Sequence, residues 1–323
     1  MTHNAARIVR SSFLTTAAGL AASAAWPRTA AAQTPLLDLR VAANANDTFA
    51  SAYYAQDEGF FTRDGLNVDL QTISNGAAIT AAVVGGTVDV GVAVPVTIAA
   101  AYLRGLPLVM IAAGALSISS VPNTRLCVAS DSTLKTAKDF EGKTIAINAL
   151  GVGLELAPFV WLTVNGADKS KVKLVELPFS EMGLALERHT VDAAVLTEPA
   201  YTVAAKEHHI KMFANVNTAI APVYVSSCWF TTRPFAQAHP EHVRRFARAI
   251  YDAQKWANAH QDLSAEILTK YSKLDISLTR SMTRAHYAEQ LRAADIQPFL
   301  DISVKYGGLS APVSANDLIY QPS

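Results

Sequence analysis

This sequence predicts an α/β fold of two similarly built lobes, and three observations carry that expectation. First, Thr87-Val88-Asp89 opens the run Thr-Val-Asp-Val-Gly-Val, and Thr190-Val191-Asp192 later opens Thr-Val-Asp-Ala-Ala-Val. Second, each copy follows an Ala/Leu-rich helical stretch (Ala77 to Val84; Met182 to Arg188) and precedes a proline that opens the next helix, Pro95 or Pro199. Third, 323 residues that are half hydrophobic and only 17% charged can form cores for two ordinary domains. A whole strand, loop and helix passage is repeated, and open α/β sheets bind ligands at such loops, at the carboxyl ends of strands.

The elements follow in order. Leu39 to Ala43 reads as a first strand, and Asn44-Ala45-Asn46-Asp47-Thr48 as a loop. A helix follows, with Asp47 or Thr48 as its N-cap and Gly59 as its end. Leu66, Val68 and Leu70 alternate with polar residues as in a half-buried strand, and Ser74-Asn75-Gly76 turns into a helix ended by Gly85-Gly86. Val88 to Ala93 is a strand, Pro95 starts a helix closed by Gly105, and Leu108 to Ala113 is a further strand. Ser117 to Asn123 is expected to cross between lobes. The second lobe then runs through the strand Thr144 to Asn148, the tight loop Gly151-Val152-Gly153, a helix from Leu154 to Val164 ended by Gly166, and the strand Val172 to Leu177. Ser180 is the expected cap of the next helix. After Glu198-Pro199, two short strands (Ile210 to Val216, Tyr224 to Thr231) lead back to the first lobe. From Pro240 onward the pattern is helical, with Val243, Phe246, Ala247, Ile250 and Gln254 at helix spacing, and these helices are expected to buttress the lobes from outside.

Residues 1–32 differ in kind. Arg7 and Arg10 precede a weakly apolar run from Phe13 to Trp26, and Ala30-Ala31-Ala32 offers small residues for cleavage before Gln33. This pattern predicts a secretory signal peptide, with the general and the twin-arginine routes both open. No cysteine follows the run, so the mature chain is expected free in a periplasm. The apolar stretch from Val90 to Leu116 is divided by Pro95, Arg104, Gly105 and Pro107 into strand- and helix-sized pieces, which argues against a membrane span. Losing Arg7, Arg10 and Arg28 with the leader leaves the mature chain with three more acidic than basic residues, a poor balance for nucleic-acid binding. Cys127 and Cys228 each lie in a strand-like apolar run, so a disulfide between them and two buried thiols are both open.

Reactive chemistry has little support. Gly151-Val152-Gly153 begins a dinucleotide fingerprint, but Leu156 stands where the third glycine belongs, and no phosphate-binding lysine loop or Gly-x-Ser-x-Gly elbow occurs. No cofactor or metal is expected. His208-His209 and the pair His239 and His242 read as surface residues. What remains is a set of helix starts at strand ends: Asn46, Asp47, Thr48 and Phe49; Ser74, Asn75 and Gly76; Pro95 and Thr97; Gly151, Val152 and Gly153; Ser180 and Glu181; Glu198 and Tyr201. Helix starts expose unpaired N–H groups and a partial positive charge, so several around one cleft make a receptor for a small polar or anionic molecule. These loops contain no Lys or Arg, which favours an organic ligand over a bare inorganic anion, with Phe49, Phe179 or Tyr201 available for its apolar part.

Longer motifs carry a resemblance. Tyr53-Tyr54-Ala55-Gln56-Asp57-Glu58-Gly59-Phe60-Phe61, Gly65-Leu66-Asn67-Val68-Asp69-Leu70 and Gly86-Thr87-Val88-Asp89-Val90-Gly91, then Asp139-Phe140-Glu141-Gly142-Lys143-Thr144-Ile145-Ala146, Val191-Asp192-Ala193-Ala194-Val195 with Glu198-Pro199, and His239-Pro240-Glu241 resemble landmarks of a known family. It is that of the periplasmic solute-binding proteins of ABC importers, in the nitrate, sulfonate and taurine group with its thiamine-pyrimidine binders. The resemblance implies a type II periplasmic-binding-protein fold that closes on its ligand like a flytrap. Lobe 1 would comprise residues 35–118 and 228–323, and lobe 2 residues 119–227. It further implies a monomer that hands a sulfonate, an aromatic or heterocyclic carboxylate or a pyrimidine to a membrane permease with its ATPase, without catalysis. A secreted enzyme using Glu181 or Glu198, or a ligand sensor, are the alternatives. Thr197 stands where relatives often have Trp before Glu-Pro, so one aromatic wall is missing. The two isolated cysteines do not match the cysteine-rich motif of the fungal pyrimidine synthases on this fold.

Overall fold

Apolar runs of four to seven residues alternate with Ala-rich helical runs, and in the computed structural model, which describes residues 35–73, 76–148 and 156–322, they fold accordingly. The chain begins with β1 (Leu37–Ala43), a 3-10 turn at Asp47–Phe49, α1 (Ser51–Asp57), α2 (Phe60–Arg63), β2 (Leu66–Thr72), α3 (Gly76–Val84), β3 (Val90–Ala93), α4 (Pro95–Leu103), β4 (Leu108–Ala113) and β5 (Ala115–Ile118). It continues through β6 (Thr124–Ala129), β7 (Thr144–Ile147), α5 (Leu156–Val164), β8 (Lys173–Glu176), α6 (Phe179–Glu187), β9 (Ala193–Thr197), α7 (Ala200–Glu207) and β10 (Ile210–Ala214). It returns as β11 (Val223–Val225) and β12 (Cys228–Thr232), then runs through α8 (Arg233–Ala238), α9 (Pro240–Ala259), α10 (Gln261–Ser272), α11 (Ile276–Ser281), β13 (His286–Tyr287), α12 (Ala293–Lys305) and α13 (Ala315–Leu318).

Two five-stranded sheets have the same construction. The first is ordered β2-β1-β3-β12-β4 and the second, read from its other edge, β8-β7-β9-β6-β10. In each, three parallel strands meet an antiparallel fourth that has crossed from the other side of the molecule: β12 beside β3, and β6 beside β9. A third, three-stranded sheet, β11-β5-β13, gathers both crossings and a C-terminal strand. The expected crossing at Ser117 to Asn123 thus becomes β5 followed by a turn into β6. One large apolar core fills the first lobe with its C-terminal helices, and two smaller ones cover the faces of the second sheet.

The repeated Thr-Val-Asp units perform one local task twice. Thr87 Oγ1 and N–H both donate to the Ala82 carbonyl at 3.0 Å, and Thr190 does the same to Ala185 at 3.1 and 2.9 Å, so each threonine seals a helix C-terminus. The residue before each takes the left-handed conformation, Gly86 at φ 72° and His189 at φ 55°. Each aspartate then clamps the first parallel strand of its sheet: Asp89 Oδ2 accepts the Arg40 N–H and Asp192 Oδ2 the Thr144 N–H, both at 2.9 Å.

Four details differ from the sequence reading. Neither Asp47 nor Thr48 caps α1, whose N-cap is Ala50 without a side-chain hydrogen bond; Asn46 instead caps the 3-10 turn before it by accepting the Phe49 N–H, and Asp47 turns inward to an arginine. Pro178, not Ser180, is the N-cap of α6, and Ser180 lies one residue inside the helix. No disulfide forms, since Cys127 sits in β6 and Cys228 in β12, in different sheets, both as buried free thiols. The C-terminal segment does more than buttress, because β13 pairs with β5 and its approach runs between the two lobes.

Candidate functional site

At the carboxyl end of β1 the chain must turn without a glycine, and Asn46 accomplishes it. Its Oδ1 accepts the Phe49 N–H at 3.1 Å and the Thr48 hydroxyl at 2.9 Å, while the Thr48 carbonyl accepts the Ser227 hydroxyl at 2.9 Å. Phe49 is buried in the first-lobe core. Asp47 is buried, and four donors reach its carboxylate: Arg284 Nε at 3.0 Å and Nη2 at 2.9 Å, the Tyr54 hydroxyl at 3.3 Å and the Ala285 N–H at 2.5 Å. Burial works to lower the Arg284 pKa, but the charge and hydrogen bond of Asp47 together with Tyr54 and Tyr287 outweigh it, and the guanidinium is held above its ordinary value. Burial raises Tyr54 and Tyr287 as well, so both phenols around this pair stay protonated.

The carboxyl end of β9 has the matching arrangement. Glu198 Oε1 accepts Arg125 Nη1 at 2.8 Å and the Thr283 N–H at 3.2 Å; Oε2 accepts the Thr202 hydroxyl at 2.7 Å and its N–H at 3.3 Å. The Arg125 and Glu198 side chains are 6% and 4% exposed, as secluded as Arg284 and Asp47 at 9% and 6%. The Arg125 guanidinium also lies 3.9 Å from the ring centre of Tyr201 and donates to Thr283 Oγ1 at 2.7 Å. A carboxylate accepts at about four lone-pair positions. Glu198, with two donors on each oxygen, is therefore saturated, Asp47 takes three donors on Oδ1 and one on Oδ2, and each acid is cancelled by an arginine.

Of the other predicted residues, Gly76 starts α3, Pro95 occupies the first turn of α4, and Thr97 is half-buried in that same turn. Ser180 and Glu181 are exposed in the first turn of α6. Ser74, Asn75, Gly151, Val152 and Gly153 lie outside the described residues. The structure brings Asp47 and Glu198 to consecutive residues of one C-terminal segment and sets Tyr201 beside Glu198 through Arg125. Ser180 and Glu181 make no hydrogen bond to that group through their side chains. Sequence reasoning missed Arg125, Thr283 and Arg284. The loops themselves lack Lys and Arg as read, but these cations arrive from β6 and from a segment 237 residues beyond Asp47, where no local pattern marks them. Among the described residues, no group of three or more His, Cys, Asp or Glu side chains is placed to hold a metal ion, and no helix is long and apolar enough to cross a membrane.

Paired sheets that exchange a strand, with helix-opening loops at their parallel strand ends, define a two-lobed periplasmic-binding-protein fold. Solved structures agree: the chain superposes on the periplasmic aliphatic sulphonate binding protein SsuA from Escherichia coli with TM-score 0.74 at 17% identity, covering 88% of this chain and 92% of that one. For the alkanesulfonate-binding protein SsuA from Xanthomonas axonopodis pv. citri bound to MOPS, the TM-score is 0.69 at 18% identity, covering 89% and 99%. Residues 46–264 match the model of the NMT1/THI5 like family, and the chain belongs to that family. It is also similar to the taurine-binding periplasmic protein of Escherichia coli (strain K12), 27% identical over 219 residues. That match covers 68% of this chain and 66%, just under two thirds, of the relative's length.

Proposed function

We propose that this protein is the periplasmic substrate-binding component of an ABC importer, holding a small organic solute between its lobes and releasing it unchanged to a membrane permease with its ATPase. The observation that carries the reading is the convergence of the β1 and β9 loops, one from each sheet, on the consecutive residues Thr283, Arg284 and Ala285. Strand ends of two sheets opening toward one place make a cleft. A sulfonate is the favoured ligand, in keeping with what the relatives are named for, and aromatic or heterocyclic carboxylates and pyrimidines are the other classes. Asn46, Thr48, Thr97 and the first turns at Gly76, Gly151, Gly153 and Ser180 would supply N–H groups and hydroxyls, and Tyr201 an aromatic face. Asp47 and Glu198, each buried and paired with an arginine, would act by shaping these loops. The arginine partner of each carboxylate supports binding without reaction, since a carboxylate paired with a buried guanidinium is a poor base for a substrate proton. Residues 1–32 would direct export and be removed near Gln33, leaving a monomer.

The test is a thermal-shift screen of residues 33–323 against taurine, ethanesulfonate, benzoate and pyrimidines, followed by calorimetry and mass spectrometry of the recovered ligand. One class should raise the melting temperature and return intact. Conversion of the ligand would instead identify an enzyme, and indifference to every class would remove the proposed ligand set.

A further inference from the structure

We infer that Thr283-Arg284-Ala285 is a positioning strap that fixes the spacing between the β1 and β9 loops, so that the two lobes are coupled here without ligand. The Thr283 N–H donates to Glu198 Oε1 at 3.2 Å, and two residues later the Ala285 N–H donates to Asp47 Oδ2 at 2.5 Å. Two residues of chain span at most about 7 Å, so these two donors keep the loops they hold within that short reach of each other. Side chains reinforce both ends. Arg284 spans Asp47 and the Gln261 carbonyl, accepted by the latter at 3.0 Å, and Thr283 Oγ1 accepts Arg125 Nη2 at 2.7 Å.

The neighbouring chain also touches both lobes. Just before the strap, Lys206 Nζ of α7 donates to Ser281 Oγ at 2.9 Å, on the second lobe. Just after it, the Tyr287 N–H donates to Asn258 Oδ1 at 2.9 Å, and the Tyr287 hydroxyl donates to the Asp47 carbonyl, on the first. The segment is anchored to lobe 1 on both sides, before it by Thr279 and Arg280 of α11 on Thr269 and Glu266 of α10 and after it by Tyr287, and it reaches lobe 2 through Ser281 and Thr283. Moving one loop relative to the other must break a buried hydrogen bond or displace the strap. Thr283 and Arg284 therefore act on the cleft through Glu198 and Asp47.

This inference rests on the cleft reading for its consequence, but its test needs no ligand, so the two fail separately. Hydrogen exchange of residues 33–323 is followed by mass spectrometry in peptides covering residues 44–50 and 196–202, for the parent, Thr283→Val, Thr283→Ser and Arg284→Lys. Thr283→Val removes the acceptor for Arg125 and keeps the backbone donor. It should speed exchange in residues 196–202 by about fivefold to tenfold, the scale of one hydrogen bond, and also speed it across the cleft in residues 44–50. Thr283→Ser should restore both. Arg284→Lys, which perturbs the lobe 1 end, should reach residues 196–202 and supplies the same test if Thr283→Val does not fold. Acceleration confined to the mutated end in whichever variant folds would overturn the strap.

Discussion

The two lobes solve the same problems with different residues. In lobe 1 the left-handed residue before Thr-Val-Asp is Gly86; in lobe 2 it is His189, which bears a side-chain penalty that glycine avoids. The clamp aspartate is backed by Arg40 in lobe 1 and by Lys143, 3.2 Å away, in lobe 2. The fifth position of the repeat is Gly91 in lobe 1, where a Cβ would collide with Ile79 and Val83 of α3, and Ala194 in lobe 2, where helix and sheet pack with the methyl in place. Near the cleft a buried Asp–Arg pair faces a buried Glu–Arg pair. Topology is preserved between the lobes, while the identity of each support follows local packing.

The largest effect expected from breaking this correspondence lies in the buried pairs. Arg284→Met and Arg125→Met each leave a secluded carboxylate without its cation, and each should cost about 3–5 kcal/mol in urea unfolding. Similar losses would sharpen the comparison, whereas a negligible loss in one lobe would show that its pair is not an equivalent support. A smaller cost, about 1–3 kcal/mol, is expected for Gly91→Ala, although lobe 2 carries that alanine natively, because α3 must move off the sheet to admit the methyl. Thermal unfolding of Gly91→Ala beside Ala194→Gly measures it; tolerance of Gly91→Ala would mean that the two helix–sheet interfaces are equally spacious.

Alkaline pH probes both lobes at once, with the least effect near neutrality. Burial pushes the Cys127 thiol in lobe 2 up to about 12 from an ordinary 9.0, and raises Cys228 in lobe 1 in the same direction. A raised pKa means the folded chain holds the proton more tightly than the unfolded one. That stability is fully present below pH 9 and is lost as pH climbs toward 12. Unfolding midpoints should be flat through neutrality and fall above pH 9, and Cys127→Ala with Cys228→Ala should flatten part of the fall. An unchanged slope in the double variant would assign the loss to the buried tyrosines, which burial also raises.

Much of the fold was legible because its signals are local. β4 has the bounds read from its apolar run, Pro95 opens α4, and the repeated Thr-Val-Asp marks both clamp strands. The three-stranded sheet was not, since two to four residues of β5, β11 and β13 carry too little periodicity to register. At the site, the loops were readable as helix starts, but the direction of a side chain was not. Asp47 and Asn46 are both good caps by type, and only the presence of Arg284, far along the chain, decides that Asp47 turns inward.

In a substrate-binding component of the kind proposed, the cleft closes on a ligand that it leaves unaltered. Small-angle scattering of residues 33–323, with and without the sulfonate that stabilises it most, tests this most directly when the ligand is recovered and weighed afterwards. A smaller radius of gyration in the loaded protein and a ligand of unchanged mass are expected. An unchanged radius with binding confirmed, or a ligand recovered as product, would contradict the proposed function.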